Sequence, residues 1–246
     1  VEYSDNWKVN CYEIGQRSEV CDSNLDFIHG FNELFNILPN TRWIAIATYN
    51  NTSFGIKTDG TLWAWGNNNS ILFGNNNSAE TQRLVPGQVG TDTNWKFITT
   101  NGNIVVGLKT DGTLWNWGNN WNGELGDGTT VAKTVPAKLG NETNWASVTV
   151  SNNVTLAIKQ NGTMWGWGYN GSGQFGNNTT TSSNIPIQVN NETTWKMVEA
   201  GGSHILALKQ DGSIWSWGSN YSGQLGNGMT STSNQLTPIR VGTGNN

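Results

Sequence analysis

The sequence predicts an all-β repeat array, a propeller or a solenoid, from three observations. An eight-residue word recurs, as Asp59-Gly-Thr-Leu-Trp-Ala-Trp-Gly66, Asp111-Gly-Thr-Leu-Trp-Asn-Trp-Gly118, Asn161-Gly-Thr-Met-Trp-Gly-Trp-Gly168 and Asp211-Gly-Ser-Ile-Trp-Ser-Trp-Gly218. Its first tryptophans, Trp63, Trp115, Trp165 and Trp215, are 52, 50 and 50 residues apart, a period that marks stacked supersecondary units. No stretch of 43–246 carries a convincing helical period, whereas each word has the two-residue alternation of a strand.

Each unit opens on a tryptophan (Trp43, Trp95, Trp145, Trp195), which divides the array into 43–94, 95–144, 145–194 and 195–246. An apolar strand follows and closes on Lys57, Lys109, Lys159 or Lys209, read as strand-end residues packing their aliphatic stems. Asp-Gly or Asn-Gly between apolar runs is a hairpin signal, because such turns need residues tolerant of positive φ. In the next strand both indoles fall on one face, with Leu62 and Ala64 on the other. Two apolar faces mean a sheet covered on both sides, so the paired tryptophans are read as packing between sheets. A glycine-rich loop such as Gly118-Asn-Asn-Trp-Asn-Gly-Glu-Leu-Gly126 comes next, and Pro86, Pro136, Pro186 or Pro238 precedes a last short strand.

One unit, Trp195-Lys-Met-Val-Glu-Ala-Gly-Gly-Ser-His-Ile-Leu-Ala-Leu-Lys-Gln-Asp-Gly-Ser-Ile-Trp-Ser-Trp-Gly-Ser-Asn-Tyr-Ser-Gly-Gln-Leu-Gly226, closely resembles the repeat of the regulator of chromosome condensation (RCC1-type) family. The resemblance extends over 43–246 and implies a β-propeller, in that family usually of seven four-stranded blades. The expected fold is therefore four full blades plus a degenerate N-terminal unit, an incomplete propeller. Pro86, Pro136 and Pro186 each precede the next opening tryptophan by nine residues, and nine beyond Pro238 is position 247. Either the array continues in a longer parent chain, or four units stand with bare outer faces. The bare face of the last unit would carry Trp215 and Trp217 or, on its other side, Ile214.

Residues 1–42 lack the repeated word. Trp7 echoes an opening tryptophan, and Leu25–Leu38 has apolar spacing compatible with a short amphipathic helix. The segment is read as a cap or shortened blade, or as a piece that docks on another subunit. It holds both cysteines, Cys11 and Cys21, whose spacing favours a disulfide in an oxidising compartment.

Composition narrows the function. Only 12% of the 246 residues are charged, the net charge is −4, and no Lys/Arg cluster occurs, which speaks against nucleic acid and anionic membranes as partners. No apolar run reaches the roughly 18 residues of a membrane span. Asn-x-Ser/Thr sequons at Asn51, Asn141, Asn153, Asn161, Asn170, Asn191 and Asn220 can carry glycans in an extracellular or surface protein. No catalytic constellation, cofactor motif or metal-ligand spacing is found, and the chain is not expected to be an enzyme. His204 is read as a hydrogen-bonded structural residue.

Binding is expected in the glycine-rich loops, where Trp121, Tyr169 and Tyr221 have no role in the blade pattern, and at Ile71, in the unit that departs most from it. The first functional expectation is a secreted or surface-displayed interaction module that binds proteins, copies of itself included, as in a filament or adhesin. An inhibitor or a carbohydrate-binding lectin comes second, because secreted relatives of this repeat include a β-lactamase inhibitor. Guanine-nucleotide exchange, the eponymous activity, comes last, because the resemblance lies in scaffold positions.

Overall fold

The computed structural model describes residues 42–68 and 70–242, which contain strands and no helix. Trp7, the Cys11/Cys21 pair and the expected helix over 25–38 lie outside the described residues. Sixteen strands form four antiparallel sheets in simple chain order. The first blade is β1 (Trp43–Tyr49), β2 (Thr52–Lys57), β3 (Leu62–Asn67) and β4 (Gln82–Gln88). The second is β5 (Trp95–Thr100), β6 (Ile104–Lys109), β7 (Leu114–Gly118) and β8 (Lys133–Lys138). The third is β9 (Trp145–Ser151), β10 (Val154–Lys159), β11 (Met164–Gly168) and β12 (Ser183–Gln188). The fourth is β13 (Trp195–Ala200), β14 (His204–Lys209), β15 (Ile214–Asn220) and β16 (Ser231–Arg240).

Each sheet is a meander whose first two connections are tight turns and whose third is the long glycine-rich loop, as from Asn67 to Gln82. In the β2–β3 turn Asp59 Oδ1 accepts from the Thr61 amide and hydroxyl, at 3.0 and 2.6 Å. Asp111 with Thr113, Asn161 with Thr163 and Asp211 with Ser213 repeat the arrangement. The prolines lie inside the outer strands rather than before them, as Pro86 in β4 and Pro136 in β8. An edge strand tolerates a residue that donates no ladder hydrogen bond.

The hydrophobic core is not inside the blades but between them. One cluster joins Phe54, Ile56, Leu62 and Phe73 of the first blade to Trp95, Ile98 and Trp117 of the second. A second joins Val106, Leu108 and Leu114 to Trp145, Val148 and Trp167, and a third joins Leu156, Met164 and Phe175 to Trp195, Val198 and Trp217. An isolated four-stranded sheet has no such cover, so stability resides in nearest-neighbour joints, as in other repeat arrays.

Candidate interaction site

Both tryptophans of the word pack at the joints, since Trp115, Trp165 and Trp215 lie against the clusters between blades, but they are placed differently. The second indole is the deeper one: Trp117, Trp167 and Trp217 are fully buried. Their Nε1 atoms donate to the Leu72, Glu124 and Gln174 carbonyls of the preceding blade at 2.6, 2.9 and 2.7 Å. The first indole is half-buried beside the turn, and Trp63, Trp115, Trp165 and Trp215 donate Nε1 to Thr61, Thr113, Thr163 and Ser213.

The lysines are more than strand ends. Nζ of Lys57, Lys109, Lys159 and Lys209 sits 3.7, 3.7, 3.7 and 3.8 Å from the ring centroids of Trp63, Trp115, Trp165 and Trp215. The opening tryptophan flanks the same ammonium, and ring and charge attract. Lys109 and Lys159 also pair at 2.7 Å with Asp92 and Glu142, and Lys209 pairs with Glu192. Lys57 has no such carboxylate among the described residues.

A buried asparagine organises every glycine-rich loop. Oδ1 of Asn120 accepts from the Leu125 amide at 2.9 Å, and its Nδ2 donates to the Thr129 and Val131 carbonyls at 3.1 and 3.2 Å. Asn68, Asn170 and Asn220 repeat the role. The sequence reading missed these hubs and took two of them for glycan acceptors. Asn170 and Asn220 are buried, and their Nδ2 atoms donate to the Thr179 and Met229 carbonyls, so the folded loop has no room for a sugar at either nitrogen. Of the other sequons, Asn51, Asn141, Asn161 and Asn191 are exposed and Asn153 is half-buried.

These hubs present the loop aromatics to solvent. Trp121 is 76% exposed, and Tyr169 and Tyr221 are exposed as well. Trp121 and Tyr221 each follow their hub directly, whereas Tyr169 precedes Asn170 and lays its phenol over Gly171, the position matching Trp121. Three consecutive blades thus display an aromatic on one loop, and Tyr221 borders a polar depression with Thr230, Ser231 and Thr232. The first blade differs. Ile71 is half-buried with φ +57°, where Gly123, Gly173 and Gly223 stand at +76°, +74° and +73° in the other loops. A β-branched residue in that region is strained, so Ile71 stands, half-buried, where the other three loops have glycine.

His204 is half-buried with its ring over Gly201, and among the described residues it makes no side-chain hydrogen bond of the kind expected. Burial alone lowers its pKa. Among the described residues no three His, Cys, Asp or Glu side chains gather as metal ligands.

The fold defines a class: an array of four-stranded antiparallel β-propeller blades. The repeat profile described as "Regulator of chromosome condensation (RCC1) repeat" matches residues 111–158, 161–208 and 211–246, and a second profile of that description matches 43–70, 145–174 and 196–224. The chain belongs to the RCC1 repeat family. Its fold is similar to that of Prp20p from Saccharomyces cerevisiae, studied for binding to Gsp1p and histones (TM-score 0.72, 23% identity, 81% of this chain and 50% of that one). It is also similar to human WBSCR16 (TM-score 0.71, 18% identity, 82% and 52%). Yeast RCC1 in its complex with Kap60 matches with TM-score 0.69 and 22% identity over 81% and 48%. The chain thus spans about half the length of these solved relatives. No curated protein matches the sequence significantly.

Proposed function

We propose that the chain is a non-catalytic interaction module, secreted or displayed at the cell surface, whose partners are proteins, copies of itself among them. The observation that carries this reading is the row of exposed aromatics Trp121, Tyr169 and Tyr221 on three successive blades. Rigid aromatic rings beside adaptable polar groups supply contact area at low conformational cost. Protein partners accord with the solved relatives, since Prp20p binds Gsp1p and histones and yeast RCC1 binds Kap60. The extracellular setting draws support from the low charge, the exposed sequons at Asn51, Asn141 and Asn191, and Cys11 with Cys21 read as a disulfide.

An inhibitor or lectin is the second reading, favoured by aromatics standing among asparagines, a combination that suits a sugar face. Nucleotide exchange ranks last, because likeness at 18–23% identity is a likeness of fold. The test is to pass the intact chain over immobilised copies of itself, over a glycan array and through a nucleotide-release assay with a small GTPase. Self-binding without glycan signal is the expected result. Glycan binding that disappears in a Trp121→Ala, Tyr169→Ala, Tyr221→Ala variant selects the lectin, and accelerated nucleotide release overturns the proposal.

A further inference from the structure

In three of the four glycine-rich loops one side chain closes the loop on itself. Glu124 Oε2 accepts from the Asn122 amide at 2.7 Å, and Oε1 of Gln174 and of Gln224 accepts from the Ser172 and Ser222 amides, each at 2.8 Å. The first loop keeps the rest of this frame. Asn68 Oδ1 accepts from the Phe73 amide, and the Asn68 carbonyl accepts from the Ile71 amide, as the Asn120 and Asn170 carbonyls do from Gly123 and Gly173. Ser70 stands in the place of Ser172 and Ser222, but the place of Gln174 and Gln224 is taken by Leu72. A leucine side chain accepts nothing. The Ser70 amide therefore has no acceptor among the described residues. Leu72 is instead buried in the apolar cluster between the first two blades.

The same joint is open at the neighbouring turns. At the next joint Asn101 Nδ2 donates to the Asn152 carbonyl, and at the third Asn152 Nδ2 donates to the Gly202 carbonyl at 2.6 Å. These amides tie the first turn of one blade to the first turn of the next. Tyr49 stands in the place of Asn101 and reaches across with its ring alone, which lies against Gly102 of the second blade. A cavity of about 220 Å³ remains, lined by Tyr49, Asn51, Ser70 and Leu72 of the first blade and by Asn103 of the second, among others. Both of its walls are inside the array, so it is a property of an internal joint.

No charged side chain lines this cavity. The Asn51 and Asn103 side chains make no hydrogen bond among the described residues, and each offers an acceptor oxygen and a donor nitrogen. Neutral walls do not repay the desolvation of an ion. They suit a neutral group that both accepts and donates.

We propose that the cavity receives the side chain of a glutamine on a partner protein, which takes the place that residues 124, 174 and 224 fill in their own loops. Oε1 of the incoming glutamine accepts from the Ser70 amide, and its Nε2 donates to the asparagine oxygens of the wall. A glutamate could satisfy Ser70 in the same way, but it would bring a charge and no donor. The volume is that of one side chain rather than of a drug-sized ligand. This site rests on the reading of the chain as a protein-binding module, and it adds to the aromatic rim the group that the partner must present.

The experiment is a titration of the intact, isotope-labelled chain, produced without glycans so that Asn51 is bare, with acetyl-Gly-Gln-Gly-amide, followed by NMR at the Ser70 amide. A saturable shift of Ser70 and of the Asn51 and Asn103 side-chain amides is expected. Binding should be about tenfold tighter than for the same peptide with leucine in place of glutamine, and about threefold tighter than with glutamate. Leu72→Gln gives the first loop the acceptor its neighbours have and is expected to abolish the shift. The joint accommodates such a side chain, since Gln174 is itself buried. If circular dichroism shows Leu72→Gln to be misfolded, Asn103→Ala replaces it and is expected to weaken binding about three- to tenfold.

A Ser70 amide that does not shift, a leucine peptide bound as tightly as the glutamine peptide, or binding unchanged in the variant would overturn the inference. N-acetylglucosamine, whose acetamido group presents the same oxygen and nitrogen, is titrated alongside, and tighter binding of the sugar than of the peptide would overturn the protein partner in favour of a glycan. The probe is a peptide and not a copy of the chain. Failure of this titration therefore leaves self-binding to the immobilised-copy measurement, and failure of self-binding leaves the titration unaffected.

Discussion

The three internal joints and the two outer faces are built from the same words, and only their surroundings differ. Trp117 and Trp65 occupy one position of the repeat, yet the first is sealed against a carbonyl and the second stands half open. Gly60 and Gly212 occupy one position, both at positive φ, yet a Cβ would strike the Thr93 carbonyl at the first and meet no atom within 4 Å at the second. A blade is therefore an incomplete unit whose apolar faces acquire energetic value from a neighbour, as expected of quasi-one-dimensional repeats.

The largest contrast is expected at the indoles. Trp167→Ala empties a fully buried site and should cost about 3–5 kcal/mol in a denaturant titration, whereas Trp65→Ala, measured on monomeric chain, should cost about 1 kcal/mol. Equal losses would mean that the joints are not where stability lies. Next come the loop hubs. Asn120→Ala strands the Leu125 amide and two carbonyls, worth about 2–3 kcal/mol. Asn220→Ala is expected to cost less in this 246-residue chain, about 1–2 kcal/mol, because among the described residues no other blade leans on its loop.

The lysine stacks sharpen the comparison further. Lys109→Met removes a cation held by two rings and by Asp92, which is itself half in solvent, and should cost about 1–2 kcal/mol. At Lys57, without that carboxylate, Lys57→Met should stay under about 1 kcal/mol. Thermal unfolding of both variants decides it.

The smallest effect is a dependence on pH. Hydrogen bonds from the Thr61, Thr113 and Ser213 hydroxyls and amides hold the Asp59, Asp111 and Asp211 carboxyls below the ordinary aspartate value. A group whose folded pKa is depressed takes up its proton more readily when unfolded. Its contribution is therefore complete above the ordinary carboxylate range and is lost as the pH falls through that range and below it. Asn161 makes the same turn with nothing to titrate. Asp111→Asn should accordingly flatten the acid limb of the stability curve while leaving neutral pH almost unchanged. An unaltered limb would remove the turns from the account.

The repeat made most of the fold legible. Each blade boundary, turn and strand could be placed because four copies at one period reinforce a signal that a single copy leaves ambiguous. Alternation correctly put both indoles on one face, but not their different partners: Trp115 donates to the turn residue Thr113 and Trp117 to the Leu72 carbonyl of the preceding blade. The hubs Asn68, Asn120, Asn170 and Asn220 recur at 52, 50 and 50 residues, a phase that announces them, but the many other asparagines and the sequons at Asn68, Asn170 and Asn220 hid it. The loop aromatics were legible as exposed because the blade pattern has no use for them. The exposure of the outer faces needed coordinates, since a carbonyl such as that of Gln224, without a partner among the described residues, leaves no mark on a sequence.

The most direct measurement is solvent exchange of the indole Nε1 protons by NMR. Trp117, Trp167 and Trp217, each bonded to a carbonyl of the preceding blade, should be protected, while the half-buried Trp65 should exchange freely. Exchange at Trp117, Trp167 and Trp217 as fast as at Trp65 would contradict the claim that the joints between blades hold the array together.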